Sequence, residues 1–230
     1  MLLTRWTFVA IGAMLLAPVA GLFGAEGHFD DRVRADFFAG FAGNDQALDR
    51  AMASAEEAIA SEPKMAAEAM AWHGAGLLLL SGRSFNQGDV ARGAELWSNA
   101  LVEMDEAGKR EPDNPAVLIP RAAAWFAASR NAPPDMGQPL LEKALADYGH
   151  VYEMQKTYFD SLNIHMRSEL LFGLADGWAR HGDAGKARAY FEKLAALGPE
   201  SGHKEQADLY LAGQQYSVNG IGCAGCHTAK

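Results

Sequence analysis

From about Phe29 onward apolar residues recur at helical spacing, and no segment alternates β-branched and polar residues with the period of a strand. Turn signals fall between these stretches: Gly43-Asn44, Glu62-Pro63, Ser81-Gly82, Glu111-Pro112, Ala132-Pro133-Pro134, Gly182-Asp183 and Gly198-Pro199. The pattern predicts helices over 30–42, 45–61, 64–81, 89–108, 115–130, 137–149, 161–181, 183–197 and 201–216. The expected fold class is all-α. Its connections are short, so neighbouring helices should lie antiparallel.

A finer regularity lies on top of the period. Ser168 to Pro199 carries Leu171, Leu174, Ala175 and Trp178 on one helix, then Ala187, Phe191 and Leu194 on the next. Arg32 to Pro63 carries Phe38, Ala39, Ala51, Ala55 and Ala58 at the same offsets. Ala100, Met104, Ala107 and Pro112 repeat the second-helix half, displaced by an insertion around Gly82 to Gly88. Leu118, Ala122 and Trp125 repeat the first-helix half, and Ala144 with Tyr148 the second; Ala207 and Tyr210 mark a solitary capping helix. Small residues where two helices approach, an aromatic where they diverge and a closing Pro resemble the tetratricopeptide repeat. The resemblance implies an α-solenoid whose surface binds a protein segment and which supplies no chemistry itself. Coincidental spacing in an alanine-rich bundle is the plainer alternative. In both, Trp72, Trp97, Trp125 and Trp178 are first of all core residues.

Ahead of this body, residues 1–25 place Arg5 before an uncharged apolar run from Trp6 to about Phe23, then small residues and acidic Glu26, Asp30 and Asp31. That is the layout of a secretory signal peptide, with cleavage points after Gly21 or Ala25. An uncleaved leader would instead anchor the chain in the inner membrane through residues 6–23. Both readings put the remainder on the outer side, in the periplasm. The expected organisation is a leader over 1–25, a helical repeat over 26–216 and a short terminal segment over 217–230.

Composition narrows the partners. The 230 residues are 49% hydrophobic and 21% charged, ordinary for a globular chain, and the net charge is −9. An acidic chain lacks the basic footprint that nucleic acid or an anionic membrane surface requires. It favours a basic protein partner and a salt-sensitive encounter.

The terminal segment reads Cys223-Ala224-Gly225-Cys226-His227-Thr228-Ala229-Lys230 and contains both cysteines of the chain. CxxCH is the attachment motif for c-type haem. Two thiols three positions apart each form a thioether with one vinyl group on the same porphyrin edge, and the following His presents its imidazole to the iron. The expected cofactor is one covalent haem c, held by Cys223 and Cys226 with His227 as axial ligand. A disulfide, a thioredoxin-like redox pair and a zinc site are the alternatives for these residues. The run from Tyr216 through Gly220 and Gly222 to Cys223 resembles the lead-in to the haem motif of class I cytochromes c. In that family a Met ligand comes far downstream. Three residues follow His227 here, so the usual cytochrome fold is not expected and the resemblance leaves the sixth ligand open.

The opposite face of the iron sets the chemistry: Met raises the potential, His lowers it, and an open face admits gases or peroxide. A capping helix over 201–216 would end beside Arg180, His181 and Gly182, which makes His181 the expected sixth ligand by placement. His203, at the start of that helix, would need the chain to fold back. His165 and Met166 fall at the other end of their helix, and His28, His73 and His150 read as ordinary helix or turn residues. No nucleophilic triad, phosphate loop or HExxH is present in the string. The expected function is electron transfer to a docked redox protein, without enzymatic turnover. An envelope scaffold carrying a structural or sensory haem is the alternative, as is gas sensing or peroxidase activity at an open site.

Overall fold

The computed structural model describes residues 27–218. Among them are nine α-helices and no strand: α1 (Asp30–Phe41), α2 (Asp45–Ser61), α3 (Ala66–Asn86), α4 (Val90–Arg110), α5 (Pro115–Asn131), α6 (Pro134–Gln155), α7 (Ile164–His181), α8 (Ala184–Ala196) and α9 (Lys204–Leu211). A 3-10 turn, Phe159–Ser161, precedes α7. The all-α expectation holds over these residues. No helix among them is long and apolar enough to cross a membrane.

Side chains start the helices where the sequence supplies an acceptor. Asn44, Asp89, Asn163 and Asp183 each accept the backbone N–H three residues on. Asn114 accepts from Ala116, directly before Pro115 at the first helical position. Each cap satisfies a donor that the helix itself leaves unpaired, contributing about 1 kcal/mol. At the end of α7, Gly182 takes a left-handed conformation (φ 93°), and its N–H and that of Asp183 close back on Ala179 and Trp178.

Three predicted helices change most in extent. Ser81-Gly82 does not break α3, which continues to Asn86; the turn comes at Gly88 (φ 83°). Ser81 is buried and donates to the Gly93 carbonyl at 2.8 Å, so a residue that looks like a breaker instead ties α3 to α4. Helix α6 passes Gly149 to Gln155 because Val151, Tyr152 and Gln155 are all buried. The predicted final helix is shorter at both ends, and residues 212–218 run on without helix past Gly213 (φ 72°).

Consecutive helices pack as pairs, α1 with α2, α3 with α4, α5 with α6 and α7 with α8, while α3 also touches α5, and α6 touches α7. Ala51, Ala55 and Ala58 on α2, Ala100, Met104 and Ala107 on α4, and Ala187, Phe191 and Leu194 on α8 are buried at helical spacing. Trp125 is fully buried, Trp72 nearly so, and Trp97 and Trp178 are half-buried at the core's margin. Gly40 lets α1 lie against α2: a Cβ there would stand 2.7 Å from that of Leu48.

Two buried charges bind elements together. Arg121 on α5 grips Asp147 on α6 through Nε at 2.7 Å and donates to the Met104 carbonyl at 3.1 Å. Burial pushes the Asp147 carboxyl up, against the pull of the Arg121 guanidinium. Glu68 on α3 accepts from the Phe29 N–H at 2.8 Å and the Asn114 amide at 3.3 Å, with His28 Nδ1 at 3.0 Å.

Candidate functional site

The residues that carry the expected chemistry, Cys223, Cys226 and His227, lie outside the described residues, as does the leader. What the structure does define is how the chain approaches them. Asp176 stands in the apolar run Leu174, Ala175, Asp176, Gly177 of α7 and is 2% exposed. Its Oδ2 accepts from Nη2 of Arg130 on α5, and its Oδ1 accepts the Tyr216 hydroxyl at 2.7 Å. Arg180, one turn on, donates to the Ser129 hydroxyl at 2.7 Å. Both guanidiniums lie 4.9 Å from the centre of the Phe126 ring.

This network fixes the last described stretch. The Tyr216 ring also meets Phe191 edge-on at 5.5 Å, and Val218 packs on the core. Burial, then the neighbouring Asp176 carboxylate, push the Tyr216 phenol far above its ordinary value, so the group stays a proton donor. Burial and the adjacent Arg130 charge push Arg180 down.

A groove of about 1070 Å³ is lined mainly by α1, α3, α5 and the first half of α7, with Trp97 of α4 and Met136, Tyr148 and Gln155 of α6. It matches the upper end of the ~300–1,000 Å³ typical of small-molecule and cofactor sites. Trp72, Leu78, Leu79, Ile119, Ala123 and Ala127 form apolar wall, and the Trp72 indole N–H has no acceptor among the described residues. The groove's charged lining residues are Asp30, Asp31 and Arg34 on α1, Arg83 on α3, and Glu169, beside His165, on α7. An apolar, cofactor-sized groove with imidazole and thioether donors at one rim, His165 and Met166, suits the faces of a porphyrin and an iron ligand.

The histidines divide by surroundings. His181, the expected sixth ligand, is a third exposed, edge-on to Trp178 and 3.9 Å from Glu142 of α6. It lies five positions after Asp176, about 140° around the helix at 3.6 residues per turn, so it faces away from the tail anchor. His203 is buried, stacked on Phe172 at 4.0 Å and 3.0 Å from Glu169. His73 sits between Glu56 and Glu103, and His150 against Asp113. His28 is held by Glu68, whose hydrogen bond and charge push its pKa up. Of the histidines and methionines among the described residues, His28, Met136, His165 and Met166 line the groove; Met166 is 40% exposed. No group of three or more metal-ligating side chains occurs among the described residues.

The Asp176–Arg130–Tyr216 network was not anticipated. Its signal was an acidic residue inside an apolar helical stretch, which requires a buried partner. Comparison with protein-family models, characterised proteins and solved structures gives no match.

Proposed function

We propose that this chain is an exported, c-type cytochrome-like electron-transfer protein. A tetratricopeptide-like scaffold docks a redox partner, and one haem c is carried at the terminal segment. The observation that carries this reading is the Cys223-Ala224-Gly225-Cys226-His227 motif in a chain opening with a signal-peptide layout. Cys223 and Cys226 would hold the porphyrin through thioethers and His227 would ligate the iron. When bound, the group supplies one-electron exchange between ferric and ferrous iron, accepting from a reduced protein and passing to an oxidised one.

Paired helices with Ala51, Ala55 and Ala58, or Ala187, Phe191 and Leu194, buried at repeat offsets support the scaffold reading. The acidic balance of the chain favours a basic redox protein as partner.

The test is intact mass with an optical spectrum, on protein produced in a host that matures cytochromes c. The expected result is a mature chain beginning after the leader, heavier by one haem and red, with a low-spin ferrous spectrum indifferent to carbon monoxide. A colourless chain of polypeptide mass overturns the redox reading and leaves a docking scaffold. Ready binding of carbon monoxide to a haem-loaded chain moves it to sensing or peroxide chemistry.

A further inference from the structure

The methionines of the helical body fall into two kinds. Met104 on α4 is fully buried, and its side chain fills a notch at Gly74 of α3, where a Cβ would collide with it. Met52 on α2 fills the matching notch at Gly76, its Sδ in the space that a Cβ would take. Met70 is buried, and Met65, Met136 and Met154 are half-buried. Met166 differs. At 40% it is the one exposed methionine among the described residues.

Met166 stands in the first turn of α7 and lines the groove with His165 and Leu170. Its backbone N–H donates to the Asn163 side chain at 2.9 Å, so the helix cap holds the main chain while the side chain is open to solvent. The α5 wall of the same groove, Ile119, Ala123 and Ala127, is apolar. A thioether matches such a wall, being soft and apolar. Its sulfoxide is polar, and exposure decides which sulfur an oxidant reaches. Oxygen added to Met52 or Met104 has no room beside the glycine notches; at Met166 the solvent side is free.

We propose that Met166 is an oxidation site: hydrogen peroxide converts its thioether to the sulfoxide, which makes the α7 rim polar and weakens the groove for apolar occupants. The sulfur lone pair takes one peroxide oxygen and the O–O bond breaks. The transferred oxygen passes its proton to the departing hydroxide, which leaves as water. Sulfur is oxidised by two electrons and the peroxide is reduced by two. The helix survives the change, because the Asn163 cap and the buried Ser168, Leu170 and Leu171 hold it from the other side. The site is the same with or without a haem on the chain.

The test treats the full chain, produced in a host that matures cytochromes c, with hydrogen peroxide. Peptide mass spectrometry maps the oxidised residues, Nile red fluorescence reports the apolar groove, and circular dichroism reports helix content. Met166 should be oxidised about tenfold faster than any other described methionine, with helix content unchanged. Nile red affinity should then fall about threefold in wild type, return after methionine sulfoxide reductase, and hold steady in peroxide-treated Met166→Leu. Faster oxidation of Met136 or Met154 overturns the inference, as does a Met166 that stays reduced. So does an equal loss of dye affinity in Met166→Leu, no loss in wild type, or an untreated chain that does not take up the dye. A colourless chain sinks the cytochrome reading alone and leaves the outcome at Met166 to be judged by itself.

Discussion

Tyr216 donates its hydroxyl to the carboxylate of Asp176 at 2.7 Å, joining the last described stretch of the chain to the middle of α7. The acceptor is buried and shared with Arg130, so the tyrosine is one of two donors on which that charge depends. Tyr216→Phe removes one hydrogen bond to a charged group, an expected loss of about 1.5–3 kcal/mol. Asp176→Ala also strands the Arg130 guanidinium and should cost about 3–5 kcal/mol. Urea unfolding midpoints check both; equal, negligible effects would show that the tail is not held there.

His28 titrates against Glu68, and its pKa is raised mainly by the hydrogen bond it donates to that carboxylate. The contact stabilises the folded start of α1 fully below the ordinary histidine value of 6.5 and fades as pH rises through the raised folded value. His28 is largely exposed, so the effect is local. Amide exchange at residues 29–33, corrected for intrinsic pH dependence, should accelerate across that window in wild type and not in His28→Gln.

Two glycines should respond oppositely to alanine. Gly40→Ala puts a methyl group 2.7 Å from the Leu48 Cβ and should destabilise by about 1–3 kcal/mol, because α1 and α2 must separate. Gly82→Ala, inside α3 with nothing near its new Cβ, should stabilise by about 0.5–1 kcal/mol. Thermal melts of the two variants test the pair directly.

Trp125 is fully buried, with the Lys143 ammonium 5.4 Å from its ring centre. Trp125→Ala should cost about 3–5 kcal/mol through the cavity it leaves. Trp97, half-buried at the groove, should cost less. Denaturant titration ranks them; the reverse order would mean that the core is centred elsewhere.

Helix content and most turns were legible in the sequence because Gly, Pro and Asx residues punctuate a steady helical period. Ser81-Gly82 misled because local propensity says nothing of a hydroxyl whose acceptor, the Gly93 carbonyl, lies on the next helix. The placement of His181 beside the tail rested on a capping helix reaching residue 216. Sequence puts it beside the end of a capping helix, but the helix stops at Leu211 and the chain turns to the Asp176 face instead. The groove was invisible from the string, since it is assembled from helices far apart in sequence. The CxxCH motif was fully legible, being contiguous.

The Glu68 carboxylate serves Phe29, His28 and Asn114 together, and so staples the entry of α1 to α3 and to the start of α5. Anyone trimming the N-terminus for expression should keep His28 and Phe29. A shortened form beginning at Arg32 would keep nearly all of α1 yet leave an anionic oxygen pair facing apolar neighbours with the Asn114 amide as its remaining donor among these three. Such a fragment should precipitate or unfold in conditions where one starting two residues before His28 stays in solution.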